Sequence, residues 1–199
     1  MDPTSTVRTD ALPAIATLVI PGGLASIPYA WLVLEALPQF KSYVGGHDGL
    51  AALAAVLVSI AIGFVLESLG SFVEFYLIDK RRADHEEMLK TWWLFLRSAY
   101  RKEPVGQRYL RRFLVTFKFE LNTFVAILFA IPGVILLGVT GQIESTASLV
   151  ILGTMLIFAG LFFFAASISA DVLADIRRHL VKGVGEPPFD EKGNPKGVA

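Results

Sequence analysis

Glu67 and Glu74 stand seven residues apart, two helical turns, so a helix carries both carboxylates on one face. Asp171, Asp175 and His179 recur at every fourth residue and share a face in the same way. Glu120 adds a further acid between these groups. Side chains of this kind do one of three things when they gather. They pair with Lys or Arg as a structural ion-pair ring, and Arg81, Arg82, Arg111, Arg112, Lys118, Arg177 and Arg178 are the cations at hand. They line a cation path or relay protons. Or they hold a metal. The third is the weakest. The spacing does not match the inward Glu plus Glu-x-x-His set of carboxylate di-iron bundles, and His47 and His85 lie elsewhere.

The surroundings of these acids give them their interest. Four long apolar stretches, roughly 11–38, 50–78, 121–139 and 147–170, are each long enough to cross a bilayer core, which takes about 20 apolar helical residues. The chain is 54% hydrophobic over 199 residues, above the range of a soluble domain. Ionisable groups near or inside hydrocarbon are rare and usually functional. Glu67, Glu74, Glu120, Asp171 and Asp175 all fall toward one end of the stretches, and together they form an expected acidic belt.

Charge sets the expected orientation. Between the second and third stretches stand Lys80, Arg81, Arg82, Lys90, Arg97, Arg101, Lys102, Arg108, Arg111, Arg112 and Lys118. After the fourth come Arg177, Arg178, Lys182, Lys192 and Lys196. The first loop has only Lys41, and the third has no basic residue. Cytoplasmic segments retain Lys and Arg, so both termini are expected inside. The expectation is an all-α, polytopic protein with four transmembrane helices, N-in and C-in, of a bacterial inner (plasma) membrane. Its parts are an N-terminal tail (1–10), a transmembrane hairpin (11–79), a cytoplasmic amphipathic basic segment (80–118), a second transmembrane hairpin (119–182) and a flexible C-terminal tail (183–199).

The stretches differ in kind. In the first, Pro21-Gly22-Gly23 and Pro28 predict a break, with either a short interfacial helix before Pro21 and a true span over 22–40, or an interruption inside the bilayer. Cleavage of this stretch as a signal peptide is not expected, for no small-x-small site follows it. In the second, Ala55, Ser59, Gly63 and Ser71 recur at multiples of four, with Gly70 beside them. Small residues so spaced let a helix approach closely, and this stripe is expected to face protein. The third is expected to bend at Pro132-Gly133. The aromatic middle of the fourth, 158–164, is expected in lipid or core.

The basic segment reads as two amphipathic helices. In the first, residues 84–100, Leu89, Trp92, Trp93, Leu96 and Tyr100 repeat at helical spacing, and Trp favours the membrane interface. In the second, residues 107–118, Tyr109, Leu110, Phe113, Leu114 and Phe117 make one face, and Arg108, Arg111, Arg112 and Lys118 the other. Clustered cations beside a membrane attract anionic lipid. Trp92, Trp93, Arg108, Arg111, Arg112 and Lys118 are therefore expected to contact lipid or a partner, and this helix to run on into the third span.

Much chemistry is excluded. The chain has no cysteine, so no disulfide, thiolate nucleophile or Cys-bound metal. Phosphate loop, nucleophile elbow and zincin motifs are absent, and no nucleic-acid reader motif accompanies the basic run. No enzymatic role, cofactor or metal is expected. The leading expectation is an oligomeric pore-like or ion-responsive assembly with the acids at its cytoplasmic mouth. A second is an anchor or sensor subunit presenting the basic hairpin to a partner protein or anionic lipid. A third is a membrane enzyme with a carboxylate metal site. Partners are membrane lipids and either further copies of the chain or another membrane or cytosolic protein. No family resemblance emerges from these residues.

Overall fold

A computed structural model describes residues 3–75 and 105–184. All described secondary structure is helical: α1 (Pro3–Ala36), α2 (Pro38–Gly45), α3 (Asp48–Val73), α4 (Val105–Val139) and α5 (Ser145–Val184). Four of them hold apolar lengths fit to cross a membrane, over Ile15–Ala36, Asp48–Val73, Arg112–Val139 and Ser145–Ile176. The expected helix over 84–100, with Trp92 and Trp93, lies outside the described residues, as does the tail beyond residue 184. The basic segment 107–118 and the third span are one helix, α4.

The first span is not broken. α1 passes through Pro21, Gly22, Gly23 and Pro28 without interruption and stops at Ala36. The reason lies outside the helix. Pro21 has no N–H for the carbonyl of Thr17, four residues back. Asn122 of α4 donates its Nδ2 to that oxygen at 3.4 Å. Such help from a neighbour is what allows proline inside a membrane helix. The real stop is Leu37, held at φ −126° and ψ 80° because Pro38 disfavours a helical residue before it. Pro38 then opens α2, where its missing donor costs nothing.

Gly22 and Gly63 explain how closely α1 and α3 meet. A Cβ on Gly22 would land on the backbone carbonyl of Ser59, and one on Gly63 on that of Leu18. The two backbones touch, as small residues allow between membrane helices. The expected stripe on α3 is divided between neighbours. Ser59 and Gly63 are buried against α1, and Gly70 lies against Asn122 and Leu121 of α4. Ala55 and Ser71 are exposed.

α4 is the hub. Half of its spanning stretch is buried within the chain, against 22%, 17% and 11% for the other three. It packs along α1, α3 and α5, whereas α5 packs chiefly on α4. Leu66 of α3 and Ala25 of α1 meet Val125 and Ala126 of α4 in one core cluster. A second cluster joins Leu110, Phe117 and Leu121 of α4 to Ala166, Ala170 and Leu173 of α5. The aromatic middle of α5 divides between the two expected settings: Phe162 and Phe163 pack on Phe119 and Phe124, while Phe158 and Phe164 are exposed. Neighbouring contacts show α1 parallel to α4, and α3 and α5 antiparallel to it. α4 runs through Pro132 and ends on Gly141, whose φ of +71° closes the last turn. There the amides of Gly141 and Gln142 donate to the carbonyls of Gly138 and Leu137, a Schellman cap.

Two outcomes follow for stability in detergent. Gly22→Ala is expected to lower unfolding free energy by about 3 kcal/mol, since backbone must move to admit one methyl group. Gly153→Ala, at an open position, should stay within about 0.5 kcal/mol. Thermal or SDS titration of purified protein measures both. For the proline, Asn122→Leu should cost about 1 kcal/mol in the native chain. In a Pro21→Ala background, where Thr17 regains an internal donor, it should cost less than half of that. Equal costs in both backgrounds would separate Asn122 from the proline.

Candidate functional site

The expected acids lie on three helices, and their partners differ. Glu74 ends α3 and accepts an ion pair from Lys118 of α4 at 3.2 Å. The same ammonium donates to Ser71 Oγ at 3.0 Å. Both charged side chains keep about a quarter of their surface exposed (24% each), so the pair sits at a boundary rather than in a dry core. Glu120 faces the other way, toward α5, where the buried Ser169 hydroxyl donates to Glu120 Oε2 at 2.7 Å. A serine donating to a carboxylate is a short, charge-assisted bond. Two of the five acids therefore act in interhelical clamps: Glu74 joins α3 to α4 through Lys118, and Glu120 joins α4 to α5 through Ser169.

Of the two places expected for Lys118, the structure shows it as a partner of the acids. Its neighbours Phe117 and Leu121 are fully buried. That turn of α4 lies in the core, and the ammonium emerges beside Glu74 rather than toward lipid or a partner. Arg112, six residues earlier, is exposed, and Arg108 and Arg111 lie on the same helix. Asp171 and Asp175 are on the exposed side of α5. Glu67 is half-buried and makes no hydrogen bond or ion pair among the described residues. Among the described residues no three acidic or histidine side chains come together as a metal site.

Asn122 is the polar residue that the expected site lacks. It is 1% exposed, at the junction of α1, α3 and α4. Its Nδ2 serves Thr17, and its Oδ1 has no hydrogen-bond partner among the described residues. Gly70 makes room for that oxygen; a Cβ there would come within 2.7 Å of it. A second cross-helix bond ties the same two helices at the far end: Tyr29 of α1 donates its hydroxyl to the carbonyl of Phe129 at 2.7 Å, one turn before Gly133 of α4. Gly133 lies there against Pro28 and Tyr29. In the sequence Asn122 shows only as a lone amide inside an apolar run, and the proline it serves lies on another helix.

No family model, curated protein or solved structure matches this chain.

The clamp between α3 and α4 can be measured by a double-mutant cycle. Lys118→Met and Glu74→Gln should each lower stability by roughly 1–2 kcal/mol, because each strands a partly buried partner. The double variant should recover part of that loss, with a coupling of about 1 kcal/mol. Simple additivity would mean that the pair contributes nothing. High salt should weaken the coupling only in part, because the pair is partly shielded.

Proposed function

We propose that this chain is a non-enzymatic inner-membrane anchor or sensor subunit, with its termini in the cytoplasm. It presents a two-helix cytoplasmic projection to anionic lipid or to a partner protein. The observation that carries this reading is the length of α4 and α5 and their packing beyond the span. At 1.5 Å per residue they are about 52 and 60 Å long, against a hydrocarbon core of about 30 Å. The excess falls at the basic end. There Leu110, outside the spanning stretch of α4, is buried in the same cluster as Phe117 and Leu173 at the ends of the two spans, so α4 is still packed on α5 where it leaves the apolar stretch. Arg108, Arg111 and Arg112 ride on this projection, and the helix that bears them is the hub of the fold. A contact made at these arginines is thereby connected to all the other spans without a flexible joint.

A pore-like or ion-responsive assembly of several copies is the second reading, and one observation favours it. Glu67 is half-buried and unpaired among the described residues, as a carboxylate at a conducting mouth would be. Glu74 and Glu120 offer that reading less, for they are engaged with Lys118 and Ser169. Further copies of the chain fit either reading, since α3 and α5 leave broad apolar faces to lipid or to another protein.

Full-length protein in nanodiscs distinguishes them. Replacing zwitterionic by anionic lipid should raise the melting temperature by several degrees, an increment lost in high salt and in the triple variant Arg108→Glu, Arg111→Glu, Arg112→Glu. Proteoliposomes should stay silent to ions across pH and voltage. An unchanged lipid response in the triple variant, together with unchanged recovery of cytosolic partners, would overturn the anchor reading. Conductance whose selectivity shifts on Glu67→Gln would favour the pore.

A further inference from the structure

At the opposite end of the molecule from the basic helices, a half-open cleft of about 640 Å³ lies between α1 and α3. Its size is that of a site for a small ligand. Ala30 and Val33 of α1 face Ala54 and Val58 of α3 across it, and Phe40 and Val44 of α2 border one end. Phe129 of α4 borders the other.

The lining decides what chemistry fits. Ser26 and Tyr29 are the lining residues with polar side chains. The Ser26 hydroxyl donates to the carbonyl of Gly23 and the Tyr29 hydroxyl to that of Phe129. Both hydroxyl protons are already used, so the cleft offers a ligand almost entirely hydrocarbon. Its length decides the class. It runs along α3 from Ala51 to Ile62, about 16 Å at 1.5 Å per residue, half of a bilayer core of about 30 Å. One leaflet's acyl chain has that reach. At the α2 end stands a charge pair, Lys41 to Glu35 at 2.6 Å, each residue next in sequence to one that lines the cleft. A neutral pair of opposite charges complements a headgroup that bears both a phosphate and an amine.

We infer that this cleft is a phospholipid site. It takes one acyl chain from the leaflet on the side of α2, with a zwitterionic headgroup over Lys41 and Glu35 and the chain end near Phe129. The small side chains of Ala30 and Ala54 leave the chain its room.

The probe is a phosphatidylethanolamine carrying a photoreactive group at its chain end, reconstituted with the full chain in proteoliposomes. Illumination is expected to concentrate label on the peptide containing Phe129. Ala54→Trp, and from the opposite wall Ala30→Phe, should each reduce that label by about tenfold while leaving the melting temperature of the protein in place. Using both walls guards against a variant that fails to fold. Labelling spread evenly over the exposed faces of α3 and α5, or unchanged in both filled variants, would overturn the site. So would efficient interchain disulfide formation by Ala54→Cys, which would mean that a second copy covers the cleft. The native chain has no cysteine to confuse that result.

Discussion

Inside lipid a polar group finds no water, so each must be met by protein. That constraint orders the interior of this molecule, and α4 is the helix that meets it for the others. Asn122 completes the turn of α1 that Pro21 leaves open. The carbonyl of Phe129 receives Tyr29. Lys118 neutralises Glu74 at the end of α3, and Glu120 receives Ser169 of α5. Each bond is modest, since polar contacts between membrane helices are worth about 0.6 kcal/mol on average. Their effect is directional. They fix which helix lies beside which and at what register, a choice that apolar packing alone leaves loose when lipid is as apolar as the side chains.

Some of this is legible in the residues alone. Apolar runs mark the four spans, because length and hydropathy need no partner to be read. Ser59, Gly63 and Gly70 on α3 also show themselves, since a close approach requires small side chains wherever the neighbour comes from. The first span misleads. Pro21-Gly22-Gly23 reads as a break under local rules, yet the helix continues because its missing donor comes from residue 122, about a hundred positions away. Local sequence holds no trace of that. The acids are a mixed case. Their type and depth are readable, but which of them meets Lys118 and which meets Ser169 depends on helix register. The uninterrupted course from the basic segment into α4 is readable, since no proline or glycine stands between Gln107 and Leu121.

The two ends of the molecule have different chemistry. At one end α4 and α5 continue beyond their apolar stretches, with Leu110 still packed in the cluster they share. At the other, α1 and α3 diverge around an apolar cleft beneath α2. Between them α4 is continuous. Glu67 stands apart from both clamps.

Polar groups of one helix are completed here by another, and the carbonyl of Thr17 is where this dependence is most open to test. Its stretching band, isolated by isotopic labelling at that single position, reports hydrogen bonding directly by infrared spectroscopy in a bilayer. The expected spectrum shows a bonded carbonyl in the native chain and a shift to higher frequency when Asn122 is replaced by Leu. An unshifted band would contradict the bridging role of Asn122, because the turn before Pro21 would then be completed by something other than α4.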